Sequence, residues 1–251
     1  MKKVYIALFM CVACARTDND AGHKVEKPNV GLSQNSPIVL NHPLIAHYLS
    51  IIRNKNTKAD EFREYLKRIS NILILEATKN LPTVAVNIET PLKKTTCQCI
   101  DPSKRIFIVS ILRAGLGITS VAEDMIPGAV IQHIGMYRDE KTHKPVRYYN
   151  RLPTTFTNPS VIRVLICDPM LATGGSASEA IKLYLEKGIK EENIIFVCVI
   201  GAPEGVKKLL EAFPKIKIIM ASLDEKLNEK AFIIPGLGDA GDRFFNTMTP
   251  D

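Results

Sequence analysis

Val161-Ile162-Arg163-Val164-Leu165-Ile166-Cys167-Asp168-Pro169-Met170-Leu171-Ala172-Thr173-Gly174-Gly175-Ser176 is the stretch that decides the fold. Its first half is apolar at nearly consecutive positions, the pattern of a parallel strand buried on both faces. The run ends in an acid, a short loop leads into Thr-Gly-Gly-Ser, and a helical pattern starts at Ala177. Glycines at such a junction let backbone N–H groups converge on an anion, and the helix N-terminus adds partial positive charge. Thr173 and Ser176 add hydroxyl donors. The segment therefore reads as a phosphate cradle, with Asp168 at its edge placed to take ribose hydroxyls or a hydrated Mg²⁺. It is not a P-loop, because G-x-x-x-x-G-K-[ST] occurs nowhere in the chain. Nor is it a nucleophile elbow, since Gly174-Gly175-Ser176-Ala177-Ser178 lacks the closing glycine.

Outward from this segment, apolar runs of strand length recur at Ile106–Leu112, Val130–Ile134, Ile194–Ile200 and Ile216–Ala221. Helical patterns at Ile118–Met125, Ala177–Leu185 and Glu204–Phe213 separate most of them. Strand–helix alternation of this kind predicts an α/β fold with a doubly wound, mainly parallel sheet flanked by helices. In such sheets ligands bind at the carboxyl ends of the strands. Upstream, Pro43 suits a first helical position, with Leu44, Ile45, Tyr48, Leu49 and Ile52 following at helical spacing. Thr57 with Asp60 matches a capping box before a second amphipathic helix marked by Phe62, Leu66, Ile69 and Leu73. Val84–Ile88 alternates and reads as a strand.

The chain has 251 residues, 46% apolar and 24% charged, which is globular composition and excludes intrinsic disorder. Its net charge is +7, with a pI near 9.0, and such a surplus suits an anionic partner. Basic residues are spread out, no block of five like charges occurs, and no aromatic ladder offers stacking surfaces, so nucleic acid is not the expected partner. Cys167 and Cys198 lie inside apolar runs and read as buried small hydrophobes. Cys97 and Cys99 form C-x-C, not the paired C-x-x-C clusters of zinc sites. His42 and His47 are five apart and cannot share a face of a helix.

The N-terminus is of another character. Lys2 and Lys3 precede an apolar run, Val4–Ala13, of about ten residues, where a spanning helix needs roughly 20. This has the form of an export signal, and Val12-Ala13-Cys14 resembles a lipoprotein box in which Cys14 would be lipidated. Cys11 stands where that box has a leucine-like residue, and Met10 offers an alternative start. Thr17–Ser36 is polar without apolar period. The sequence thus divides into an extension, 1–40, and a domain, 41–251, with cytoplasmic residence expected and an exported lipoprotein anchored at Cys14 as the alternative.

Asp168–Ser176 resembles the phosphoribosyl pyrophosphate (PRPP) motif of type I phosphoribosyltransferases, in the form typical of the uracil enzymes. The general motif has two adjacent acids; here Asp168 is followed by Pro169, a departure those enzymes share. The resemblance runs over about residues 41–247. It includes His42-Pro43-Leu44, Glu76-Ala77, Ile111-Leu112-Arg113-Ala114-Gly115-Leu116-Gly117, Met136-Tyr137-Arg138-Asp139-Glu140 and Ile233-Ile234-Pro235-Gly236-Leu237-Gly238-Asp239-Ala240-Gly241-Asp242. The last segment satisfies G-x-G-x-x-G, but its context excludes a dinucleotide fingerprint: Pro235 interrupts the approach and ten residues follow Gly241.

The resemblance implies transfer of phosphoribose from PRPP to uracil, giving UMP and pyrophosphate in pyrimidine salvage. It implies Arg113, Arg138, Asp168, Pro169, Met170, Leu171, Ala172, Thr173, Gly174, Gly175, Ser176 and Asp239 as PRPP residues, and Ile233, Gly238, Asp239 and Ala240 as uracil residues. Asp168, Arg113 and Asp239 would stand at the reaction centre, with Mg²⁺ carried by PRPP near Asp168 and no metal held by side chains alone. Arg113 ends a strand where a guanidinium can grip phosphate oxygens in pairs, and Ala114, Gly115 and Gly117 would let backbone approach an anion. Arg138–Arg147 would form an arm over the site. A homo-oligomer is expected, with GTP as an effector left open. The alternative is a pyrimidine-sensing RNA-binding regulator on the same fold.

Overall fold

In the computed structural model, residues 36–138 and 145–247 are described, with Arg138 and Pro145 placed by their backbones alone. The chain begins with a two-residue strand, β1 (Ile38–Val39), then α1 (Pro43–Arg53) and α2 (Ala59–Thr78). A hairpin of β2 (Thr83–Glu89) and β3 (Lys94–Ile100) follows as a separate antiparallel pair. Next come β4 (Arg105–Leu112), α3 (Leu116–Met125), β5 (Val130–Arg138), β6 (Pro145–Asn150), β7 (Ile162–Cys167), β8 (Met170–Leu171) and α4 (Gly175–Leu185). The rest is β9 (Ile194–Gly201), α5 (Pro203–Ala212), β10 (Lys217–Leu223), β11 (Lys226–Leu227), β12 (Ile233–Ile234) and α6 (Ala240–Phe245).

The main sheet runs β1-β10-β9-β7-β4-β5-β6, with β8 also on β9. All its pairs are parallel except β5 with β6. From β4 the chain steps one way to β5, then returns to lay β7, β9 and β10 on the other side of β4. The order therefore reverses between β4 and β7, and the crevice at their carboxyl ends is the place for a ligand. Arg113 follows β4 and Asp168 follows β7.

Alternate residues of the central strands feed two cores. Ile106 and Ile108 face α1, α2 and α3, against Leu66, Leu73 and Ile118. Phe107, Val109 and Ile111 face α4 and α5, against Ile181, Tyr184 and Leu209. This two-sided burial is why β4, β7 and β9 read as continuous apolar runs. Among the described residues, no helix is long and apolar enough to cross a membrane.

One local expectation changes. The capping box is not formed: Lys58 is the N-cap of α2 without a side-chain bond, and the Thr57 hydroxyl instead donates to the Ile51 carbonyl at 2.6 Å. Thr57 thus closes the end of α1. His42 has a structural task, capping α1 through Nδ1, which accepts from the Leu44 N–H at 3.1 Å. The pattern at residues 1–35, including Cys14, lies outside the described residues, as do residues 139–144 of the expected arm.

Candidate active site

The carboxyl edge of β4 and β7 opens into a cleft of about 500 Å³. Four segments line it: Ile111–Ala114, Met136 and Tyr137 from β5, Asp168 to Ser176 in part, and Lys230–Ile233 with Gly238–Gly241. Residues up to 130 positions apart in sequence thus share one space, because consecutive strand ends lie side by side.

Asp168 sits where β7 stops, partly exposed to the cleft, with Oδ1 accepting from the Met170 N–H at 3.3 Å. Burial pushes its carboxyl up to about 7; the Met170 bond opposes this, and the negative charge of Asp239 adds to it. Two carboxylates that repel each other across a cleft are a site short of positive charge. Met170, Ala172 and Ser176 line the cleft. Pro169 and Leu171 are buried and do not line the cleft; their carbonyls accept from the Ile200 and Ala202 N–H groups, which ties the cradle to the sheet. Thr173 and Gly174 lead into α4, whose N-terminus has no side-chain cap. Its first-turn N–H groups lack intrahelical acceptors, the arrangement that suits an anion, and Ser176 of this turn lines the cleft.

Arg113 is half exposed, and its Nη2 lies 3.0 Å from Asp242 Oδ1, with the guanidinium over the Phe245 ring at 5.6 Å. The Leu112–Arg113 peptide is cis. The glycines of this loop also pack closely against the protein itself. A Cβ on Gly115 would stand 2.3 Å from the Cys167 carbonyl oxygen, and one on Gly117 would stand 2.7 Å from a Leu66 methyl. They let the loop lie on the protein itself, against β7 and α2. Cys167 beneath it is fully buried, and burial pushes its thiol up to about 12 although the Thr119 hydroxyl opposes this, so it is inert as a nucleophile.

Ile233, Gly238, Asp239 and Ala240 all line the cleft opposite the cradle. Asp239 caps α6, its Oδ1 accepting from the Asp242 N–H at 2.8 Å. Lys230, Phe232, Met136 and Tyr137 also line it and were not singled out from sequence. Met136 and Tyr137 lie in a segment that carries the resemblance but were given no contact, and for Lys230 and Phe232 adjacency to Ile233 was the signal on offer. Among the described residues no three His, Cys, Asp or Glu side chains form a metal cluster.

An acid-ended parallel strand, a glycine turn into an uncapped helix and an arginine loop on the neighbouring strand define a phosphoribosyltransferase of type I. A family model described as uracil phosphoribosyltransferase matches residues 39–247. A relative of that name from Acholeplasma laidlawii (strain PG-8A) is 50% identical over 210 residues, 84% of this chain and 98% of its own. Another of that name, from Clostridium botulinum (strain Eklund 17B / Type B), is 49% identical over the same shares. A solved structure from Aquifex aeolicus superposes with a TM-score of 0.77 at 35% identity, covering 86% of this chain and 100% of that one. The chain belongs to the uracil phosphoribosyltransferase family.

Proposed function

We propose that the cleft joins uracil to the ribose of PRPP, releasing pyrophosphate and forming UMP, with the cradle and the Gly238–Ala240 loop as the two halves of the site. The observation that carries this is the single cleft that Arg113, Asp168, Ser176, Gly238 and Asp239 share. The relatives are named for this transferase, and no observation favours the RNA-binding alternative.

The reaction breaks the C1–O bond to pyrophosphate and forms a C1–N1 bond to the base, with N1 giving up its proton. No nucleophilic side chain is needed; positive charge grows on the ribose as pyrophosphate leaves, so positioning and charge stabilisation carry the rate. The α4 N-terminus with Thr173 and Ser176 would hold the 5′-phosphate. Arg113, released from Asp242, would hold pyrophosphate oxygens in pairs. Arg138, at the end of β5 beside the cleft, is assigned to the same substrate. Asp168 and Asp239 would hold the ribose hydroxyls and face the developing charge.

The two carboxylates fit Mg²⁺, which keeps most of its waters and takes one or two carboxylates together with substrate phosphates. When bound, it neutralises charge on the leaving pyrophosphate. Incubation with PRPP, Mg²⁺ and labelled uracil is expected to give UMP and pyrophosphate in equal amounts. Absence of UMP would overturn the reading.

We place this activity in the cytoplasm, where PRPP is made, and take the catalytic unit to begin at β1. Ile38 and Val39 pair with Ile219 and Met220, so this strand, ahead of the boundary expected at residue 41, belongs to the sheet. A chain beginning at Pro37 is expected to keep kcat/KM for uracil within about twofold of the full chain, since Thr17–Ser36 has no apolar period and its removal should expose no core surface. Thermal melting and steady-state rates check this, and a large loss of either would make the extension part of the enzyme.

A further inference from the structure

The loop that ends in Gly238–Ala240 is fastened to the far end of α1 by two arginines. Asp224, just past β10, is buried, and its carboxylate takes a forked pair from Arg53: Nη1 to Oδ2 at 2.7 Å and Nη2 to Oδ1 at 2.6 Å. The Ser222 hydroxyl donates to Asp224 Oδ1 at 2.8 Å and accepts from Arg53 Nη2 at 3.1 Å. Both members of the pair then reach the same backbone unit. Arg53 Nη1 donates to the Gly236 carbonyl at 2.7 Å, and the Gly236 N–H donates to Asp224 Oδ2 at 3.0 Å. The next carbonyl, of Leu237, accepts from Arg243 Nη1 at 2.7 Å. Arg243 also binds the carbonyls of Ile52 and Asn54 at the end of α1.

A buried ion pair is by itself weak grounds for stability, because desolvation offsets much of its attraction. Here burial alone would push the Asp224 carboxyl up. The bonds and charge of Arg53, with those of Ser222 and Gly236, hold it below the usual carboxylate range instead. The pair is therefore well satisfied, and what it holds is geometry. Gly236 has φ +65°, and a Cβ there would meet the Ile233 carbonyl oxygen at 2.1 Å. The turn is tight, and two residues beyond it the chain enters the cleft.

We infer that Arg53 and Asp224 are positioning residues for base selection: by holding both polar groups of Gly236 they fix the donors and acceptors that the Gly238–Ala240 backbone presents to the base. This rests on the reading of that loop as the uracil site. Neither residue lines the cleft, so they act through the loop.

The test is Arg53→Lys, with Asp224→Asn as the second variant. Lysine keeps the charge but cannot reproduce the planar fork that spans Asp224 and Gly236 together. The expected result is a rise in KM for uracil of about tenfold, a KM for PRPP that stays put, and a fall of similar size in the uracil-to-cytosine ratio of kcat/KM. That ratio does not depend on how much of the protein is active. A purely structural pair would lower the thermal midpoint and the active fraction and leave the ratio alone. Hydrogen exchange at Gly236, Leu237 and Gly238 is expected to speed up in both variants. An unchanged ratio and uracil KM in either folded variant, or unchanged exchange, would overturn the inference. If the unaltered enzyme makes no UMP, the uracil reading falls first, and exchange still shows whether the pair holds the loop.

Discussion

Asp168→Asn is expected to lower kcat by about a hundredfold or more, the scale seen when one group aimed at developing charge is removed, while the protein melts at or above the temperature of the unaltered chain. The carboxylate stands at a strand end open to the cleft, and asparagine can keep its bond from the Met170 N–H. No cavity forms and no core contact is lost. What disappears is a charge held in a desolvated place beside Asp239. In the folded chain the group takes up its proton near pH 7, in the unfolded chain near 4. Between those values the folded state binds more protons, so stability is greatest below about pH 4 to 5, as far as this group is concerned, and is lost as pH rises through 7. In EDTA, without substrate, the thermal midpoint of the unaltered protein should therefore fall relative to Asp168→Asn between pH 5 and 8. Parallel melting curves across that range would show that Asp168 is not destabilised by its charge. Near-normal kcat at saturating Mg²⁺ would remove it from the mechanism.

The elements legible in the sequence were those whose environment leaves a one-dimensional trace. β4, β7 and β9 are covered on both faces, so nearly every residue had to be apolar. β3 left no such trace: Lys94-Thr95-Thr96-Cys97-Gln98-Cys99-Ile100 pairs only with β2, off the main sheet, and carries no core face. β11 and β12 are two residues each, too short for any period. The capping box failed because α2 starts one residue later than the box requires, at Ala59 with Lys58 as N-cap, and Thr57 is left to donate to the Ile51 carbonyl. The glycines after Arg113 were visible, but their reason was not, since it lies in Cys167 and Leu66.

The cleft residues followed the same division. Asp168, Arg113 and the Gly238–Ala240 loop each end or begin an element, and chemistry at strand ends is readable from a strand pattern. Phe232 and Lys230 belong to no pattern, and the Arg53–Asp224 pair joins positions 171 apart, which only the folded chain brings into register. Asp242, beside the motif but read simply as its last residue, turns out to be the partner of Arg113. On the proposed reading, that partner would be exchanged for a phosphate when PRPP binds. The pair is exposed on both sides, so its loss costs little, about 1 kcal/mol or less, and the arginine is readily given up.

Selection of uracil over cytosine should be the second large effect, and its size follows from how the loop is held. Uracil presents acceptor, donor, acceptor across O4, N3–H and O2. Cytosine turns the first two around, offering an amine where the site expects an acceptor and a bare N3 where it expects a proton. A loop free to turn its peptides could accommodate both. This one has Gly236 held at both its polar groups and Leu237 held at its carbonyl. Asp239 is fixed by its bond from the Asp242 N–H. The peptide before Gly238 therefore cannot flip without breaking a charge-assisted bond, and the peptide after Asp239 is held where its carbonyl accepts from the Arg243 N–H at 3.1 Å. Two groups left unpaired in a desolvated site cost about 1–3 kcal/mol each, together a factor of roughly 30 to 10⁴ in kcat/KM, the range in which sites built to bond a polar edge reject its mismatch. Steady-state rates with the two bases at saturating PRPP measure it directly. Cytosine used within about threefold of uracil would mean that the Gly238–Ala240 backbone does not read the base edge, and the base would then have to be sought against Phe232 and Met136, which also line the cleft.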